Sequence, residues 1–162
     1  MGRIITSPEP LGRAVENSIF LAGGISDCPD WQTEVARALM EASEAVIYNP
    51  RRLDFNMDAY EDVSRQQIQW EFQALRMSSV NLFWFPEETL CPITLFELGS
   101  AIQRLHPGAL MVGTHPNYAR RFDIVEQAKL AGSPCRVFND IEELTRETII
   151  LMRNIDALMK NN

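Results

Sequence analysis

Five short apolar runs mark out the chain: Ile19–Ala22, Ala45–Tyr48, Asn81–Phe85, Leu110–Val112 and a weaker Arg136–Phe138. Each is followed by turn-forming residues, in order Gly23-Gly24, Asn49-Pro50, Pro86, Gly113 and Asn139-Asp140. Runs that are continuously apolar rather than alternating suit strands covered on both faces, as in a parallel sheet. Between them the apolar positions recur with helical period. Trp31, Val35, Ala38, Leu39 and Ala42 form one stripe, with Asp27 and Asp30 as capping candidates ahead of it. Ile68, Phe72 and Leu75 form a second, and Leu98, Ala101, Ile102 and Leu105 a third. Ile124, Val125, Ala128 and Ala131 form a fourth, closed by Gly132, and Ile141, Leu144, Thr148, Leu151, Ile155 and Leu158 trace a long last helix. Strictly alternating strands and helices predict an α/β fold, a flavodoxin-like three-layer doubly wound sheet of five parallel strands in the order 2-1-3-4-5. Ligands of such sheets bind beyond the carboxyl ends of the strands where the order reverses, here between the first and third strands.

With 162 residues and neither a repeat nor a Ser/Gly-rich linker, the chain reads as a single domain, 1–162, in which 1–17 form an N-terminal extension. Its 46% hydrophobic and 23% charged residues are ordinary for a globular protein. A formal net charge of -7 argues against a nucleic-acid partner but not against a small anion held by backbone donors. Cys28, Cys91 and Cys135 are odd in number and widely spaced, which suits a reducing compartment, and with two histidines they draw no zinc site. No apolar stretch approaches the ~20 residues of a membrane span, and no signal-peptide pattern opens the chain. A cytoplasmic protein without metal or cofactor is expected.

The loop after the first strand reads Ala22-Gly23-Gly24-Ile25-Ser26. Its glycines let a backbone approach a ligand, or simply make a tight turn. After the third strand, Thr94-x-x-Glu97 fits a capping box, a common helix start without catalytic meaning. Glu97 also falls near a helix start beside the switch point, where the helix dipole favours an ionised carboxylate, the form a glycosyl nucleophile needs. Gly99 within the helix costs about 1 kcal/mol relative to Ala unless the space is needed. Glu71 lies beside the Ile68–Phe72–Leu75 stripe, so burial would raise its pKa toward that of a general acid, or it sits at the stripe's edge in water. Gln67, one turn earlier, is placed to hydrogen-bond it. Asn49-Pro50-Arg51-Arg52 offers two guanidinium forks for an anion, or surface ion pairs. Asp54, Asn56, Asp58 and Tyr60 superficially match a calcium loop, but Ala59 and Arg65 stand where glycine and glutamate are required. His115, Asn117 and Tyr118 are candidates for a pocket rim, and Trp31, Trp70 and Trp84 for either core or base stacking.

At Phe20-Leu21-Ala22-Gly23-Gly24, Gln69-Trp70-Glu71 and Phe96-Glu97-Leu98-Gly99, from about Ile19 to Val112, the sequence resembles the nucleoside 2-deoxyribosyltransferase family. The resemblance implies that Glu97 of the Glu-Leu-Gly element captures the deoxyribosyl group. It also implies that Glu71, where the family more typically has aspartate, assists the leaving base. By the same resemblance Gly23, Gly24, Ile25 and Ser26 contact the sugar or its 5′ group, and Trp70 and Gly99 join Asn49, Arg51 and Arg52 as substrate-contact candidates. The family often carries an aspartate just before the Glu-Leu-Gly element, where this chain has Cys91-Pro92-Ile93. The expected function is cleavage or exchange of the N-glycosidic bond of a (2′-deoxy)nucleoside or nucleoside 5′-monophosphate through a covalent glycosyl-Glu97 intermediate, in a homo-oligomer. Two alternatives stand beside it: cleavage of the nicotinamide glycosidic bond of NAD, and a non-catalytic nucleotide-binding module.

Overall fold

The computed structural model of the protein describes residues 1–53, 60–104, 109–131 and 136–161. Asp54, Asn56 and Asp58, Leu105, Gly132 and Cys135 lie outside these residues. Strands β1 (Arg3–Thr6), β2 (Ser18–Gly23), β3 (Val46–Asn49), β4 (Val80–Phe85), β5 (Leu110–Thr114) and β6 (Val137–Phe138) alternate from β2 onward with helices. The helices are α1 (Trp31–Ala42), α2 (Tyr60–Met77), α3 (Pro92–Arg104), α4 (Arg121–Leu130) and α5 (Ile141–Lys160). All paired strands run parallel, in the order β1-β3-β2-β4-β5-β6. The five strands expected from the apolar runs keep their 2-1-3-4-5 order as β3-β2-β4-β5-β6, a flavodoxin-like arrangement. The sheet has a sixth strand because the N-terminal segment adds β1 outside β3, pairing Arg3 with Val46 through to Thr6 with Asn49.

Side chains alternate across the sheet as strand geometry requires. Ile19 and Leu21 of β2, with Leu82 and Trp84 of β4, pack against Trp31, Val35 and Leu39 of α1 and Leu144 and Met152 of α5. On the opposite face, Phe20, Ala22, Phe83 and Phe85 pack against Trp70, Ala74 and Leu75 of α2, Leu98 and Ala101 of α3, and Ile124 of α4. The result is three layers with one core on each side of the sheet. Asp30 caps α1, its carboxylate accepting from the Thr33 N–H at 3.1 Å, and Asp140 caps α5 through the Glu143 N–H at 2.8 Å. Such caps contribute about 1 kcal/mol each.

Two helices differ from their sequence expectation. The buried face of α2 is formed by Trp70, Ala74 and Leu75, while Ile68 and Phe72 are 63% and 59% exposed. Trp70 takes the core position because its large ring fills the space against Phe20 and Tyr48. Helix α3 begins at Pro92, not after Thr94, with the Leu95 N–H bonded to the Cys91 carbonyl at 3.0 Å. Proline is favoured at the first helical position because its missing N–H has no helical partner to lose. Thr94 is therefore inside the helix, so it is no capping box, and Glu97 stands in the second turn.

Candidate functional site

The carboxyl ends of β2 and β4 diverge where the chain order reverses, and a cavity of about 460 Å³ opens there. Its walls come from the β2–α1 loop (Gly23, Gly24, Ile25, Ser26), from α2 (Ile68, Glu71), and from the β4–α3 segment Thr89 to Glu97, over a floor of Phe20 and Ala22. The volume lies within the range of small-molecule sites, roughly 300–1,000 Å³. Two carboxyl groups, Glu71 and Glu97, line this one space. Among the described residues no lysine, arginine or histidine lines it.

Both carboxyls hold their protons more tightly than in water. Burial, followed by the nearby charge of Glu71, raises Glu97 from 4.5 to about 8. Burial also raises Glu71, while the Gln67 amide, donating from Nε2 to Glu71 Oε1 at 2.9 Å, opposes the rise by favouring the carboxylate. Gln67 is itself fully oriented: its Oε1 accepts from the Ser7 hydroxyl at 2.6 Å, and Nε2 donates also to the Pro50 carbonyl at 2.7 Å. Glu97 has no hydrogen-bond partner among the described residues. Near neutrality Glu97 therefore keeps its proton. This reverses the protonation inferred from the helix dipole, because the dipole fades beyond the first turn and burial dominates.

The glycines earn their place by packing. A Cβ on Gly23 would lie 2.4 Å from Trp31 Cζ2 and 2.4 Å from the Trp84 carbonyl oxygen. One on Gly24 would meet Cys91 Sγ and Thr89 Cγ2 at 2.9 Å. At Gly99 nothing lies within 4 Å of the added carbon, so the helix does not need the space there. Gly99 borders a separate groove between α3 and α4, not the cavity.

Other expected contacts go elsewhere. Trp70 is buried beneath the site, its indole donating to the Glu9 carbonyl at 2.7 Å. Asn49 is buried and accepts from the Arg51 N–H at 2.9 Å. Arg51 turns to the β2–α1 loop, pairing with Asp30 at 3.0 Å and with Gln32 Oε1 at 2.9 Å. Arg52 donates to Gln66 Oε1 at 3.4 Å. None of these four lines the cavity. Tyr118 braces the β4–α3 loop from behind through the Leu90 carbonyl at 2.7 Å, and His115 and Asn117 both face Glu87. Trp31 and Trp84 are core residues.

Sequence reasoning did not single out Cys91, which lines the cavity in a left-handed backbone conformation (φ 48°) immediately before Pro92. Burial pushes its thiol up to about 11, so it is no nucleophile at neutral pH. It also missed Ile68, Ile93 and Phe96 as the apolar rim. Ile93 and Phe96 are 65% and 78% exposed.

A family model described as nucleoside 2-deoxyribosyltransferase like matches residues 16–118, which include both carboxylates, the glycine loop and the whole switch-point crevice. The chain belongs to the nucleoside 2-deoxyribosyltransferase-like family. Membership supports a nucleoside-processing, glycosyl-transferring function in general. No curated protein matches the chain. Among the described residues no helix is long and apolar enough to cross a membrane.

Proposed function

We propose that this family member cleaves or exchanges the N-glycosidic bond of an uncharged (2′-deoxy)nucleoside through a glycosyl ester on Glu97. The observation that carries the reading is the pair of proton-retaining carboxyls, Glu71 and Glu97, facing one cavity of nucleoside size at the switch point. The reaction needs one proton on the pair, lost from Glu97 and held by Glu71 when substrate is bound, and the position of Glu71 on α2 serves the leaving base. A Glu97 oxygen then attacks C1′, the C1′–N bond breaks, its electron pair stays on the base nitrogen, and Glu71 delivers the proton there. A second base or a water molecule cleaves the ester, and Glu71 takes up the proton it gives, as in retaining glycosidases.

The charge of the site favours a nucleoside over its 5′-monophosphate. Two carboxyls and, among the described residues, no lining cation make a phosphate dianion unwelcome, and Arg51 is already held by Asp30, Gln32 and backbone carbonyls. The same argument weighs against NAD with its diphosphate. The exposed apolar rim of Ile68, Ile93 and Phe96 fits a homo-oligomer in which a second copy covers it. A cytoplasmic location is part of the same reading.

Incubation with deoxynucleosides, their monophosphates and NAD, with and without an added free base, tests the proposal by chromatography of the released base. Release from deoxynucleosides by the wild type and none by Glu97→Ala is expected. Release that persists in Glu97→Ala, or tight nucleotide binding with no release at all, would overturn it, the second outcome in favour of a binding module.

A further inference from the structure

One backbone carbonyl in the β2–α1 loop is held by three donors. Gly24 O accepts from Trp31 Nε1 at 3.1 Å, from Gln32 Nε2 at 3.0 Å and from an Arg51 Nη at 3.4 Å. Gln32 is fully buried, and its other amide atom accepts from Arg51 Nε at 2.9 Å, so its orientation is fixed. Arg51 is in turn anchored by Asp30 at 3.0 Å and by the Pro29 carbonyl at 3.0 Å. Trp31 and Gln32 open α1, on the face of the sheet opposite α2 and α3. The carbonyl therefore points away from the side on which Glu71 and Glu97 stand.

A trans peptide carries its N–H opposite its C=O. Pinning Gly24 O toward α1 turns the Ile25 N–H the other way, toward the cavity that Ile25 itself lines. That N–H has no hydrogen-bond partner among the described residues. Ile25 is only half-buried beside the open cavity, so this N–H meets water until a ligand oxygen takes its place.

The geometry points to Trp31, Gln32 and Arg51 as positioning residues that fix the Gly24–Ile25 peptide so that the Ile25 N–H donates to a hydroxyl oxygen of the substrate's sugar. This assigns Arg51 an indirect role in place of ligand contact, and it brings in Gln32, which no motif marks. In identifying the acceptor as a sugar hydroxyl it rests on the nucleoside reading above. A preset donor spares the ordering that a mobile loop would undergo on binding. Loss of the clamp should therefore weaken binding of the sugar while leaving the carboxyl chemistry in place.

The test uses the full-length protein, labelled with ¹⁵N, alone and with 2′-deoxyinosine. In the unliganded wild type the Ile25 amide should be as rigid as the adjoining strand yet exchange quickly with water. In Gln32→Ala, and in Arg51→Met as the milder change outside the core, it should become mobile on the nanosecond scale. With 2′-deoxyinosine the wild-type amide should gain protection from exchange. KM should rise about tenfold in Gln32→Ala, the worth of one hydrogen bond, with kcat changed much less. Analogues lacking the 3′- or the 5′-hydroxyl identify the acceptor: the correct one abolishes the difference between wild type and variant. An Ile25 amide protected without ligand, or equally rigid in both variants, would overturn the clamp. So would cavity resonances that respond to 2′-deoxyinosine while Ile25 does not. Millimolar 2′-deoxyinosine that perturbs no cavity resonance would instead overturn the nucleoside reading, the clamp being decided by the unliganded measurements.

Discussion

Replacing Glu97 by glutamine keeps the shape of the side chain and removes its ability to ionise, so it measures what the cavity charges the fold for a carboxylate there. Burial and Glu71 raise the group from 4.5 to about 8. Below 4.5 it is protonated in both folded and unfolded chains and makes no difference. Between 4.5 and 8 the unfolded chain gives up the proton while the folded one keeps it, so stability falls as pH rises. Above 8 the loss is complete. Each tenfold change in proton affinity is worth about 1.4 kcal/mol, which caps the loss at about 5 kcal/mol. Water entering the open cavity screens part of this, and somewhat under half the ceiling, about 2 kcal/mol, is the working figure. At about 2–4 °C per kcal/mol for a chain of this length, Glu97→Gln should melt about 4–8 °C above wild type at pH 9 and together with it at pH 4.5. Thermal denaturation followed by circular dichroism across that range reads the difference directly. Melting curves that coincide at every pH, or a variant less stable at pH 9, would refute the assignment of a buried, proton-retaining carboxyl. The same variant should have lost base release, so stability and activity move in opposite directions at one residue.

The activity profile should be bell-shaped in kcat/KM, since only the pair holding one proton can both attack and donate. Its alkaline limb should lie near pH 8, where the last proton leaves, and a profile flat from pH 6 to 10 would exclude the pair. Gly23→Ala should cost about 2–3 kcal/mol, because the new carbon meets both an indole and a strand carbonyl at 2.4 Å; a melting temperature within 2 °C of wild type would show that the loop yields freely. Phe96→Glu should lower the mass measured by light scattering if the apolar rim is covered by a second copy, and an unchanged mass would place that contact elsewhere.

How much of this could be read beforehand follows from where each signal resides. Strands β2 to β6 were legible because most are covered on both faces, which writes a continuous apolar run. β1 was not, because only Ile5 of its four residues is buried and an edge strand leaves so short a mark. The α2 face was misread because apolar residues there serve two purposes: Trp70, Ala74 and Leu75 build the core while Ile68 rims the cavity. That Glu71 and Glu97 would meet followed from the switch point of the sheet and from the family resemblance. How tightly each holds its proton did not, since that depends on burial and, for Glu71, on Gln67, whose orientation is set by Ser7 and Pro50 from distant segments. Arg51 announced itself as an anion binder by type, but its partners Asp30, Gln32 and Pro29 lie on another loop.

The family match begins at residue 16, whereas Ser7, at the end of β1, holds the Gln67 amide that points at Glu71. A gene trimmed to the matched boundary would keep the sheet's centre and both carboxylates, yet lose the hydroxyl that holds the Gln67 oxygen and leave the amide to the Pro50 carbonyl. Its acid–base balance would then differ from that of the native protein, and an inactive trimmed form would say nothing about the enzyme. An affinity tag ahead of Met1 hangs on the same strand. For this protein the place where one chooses to begin the chain is a decision about its chemistry.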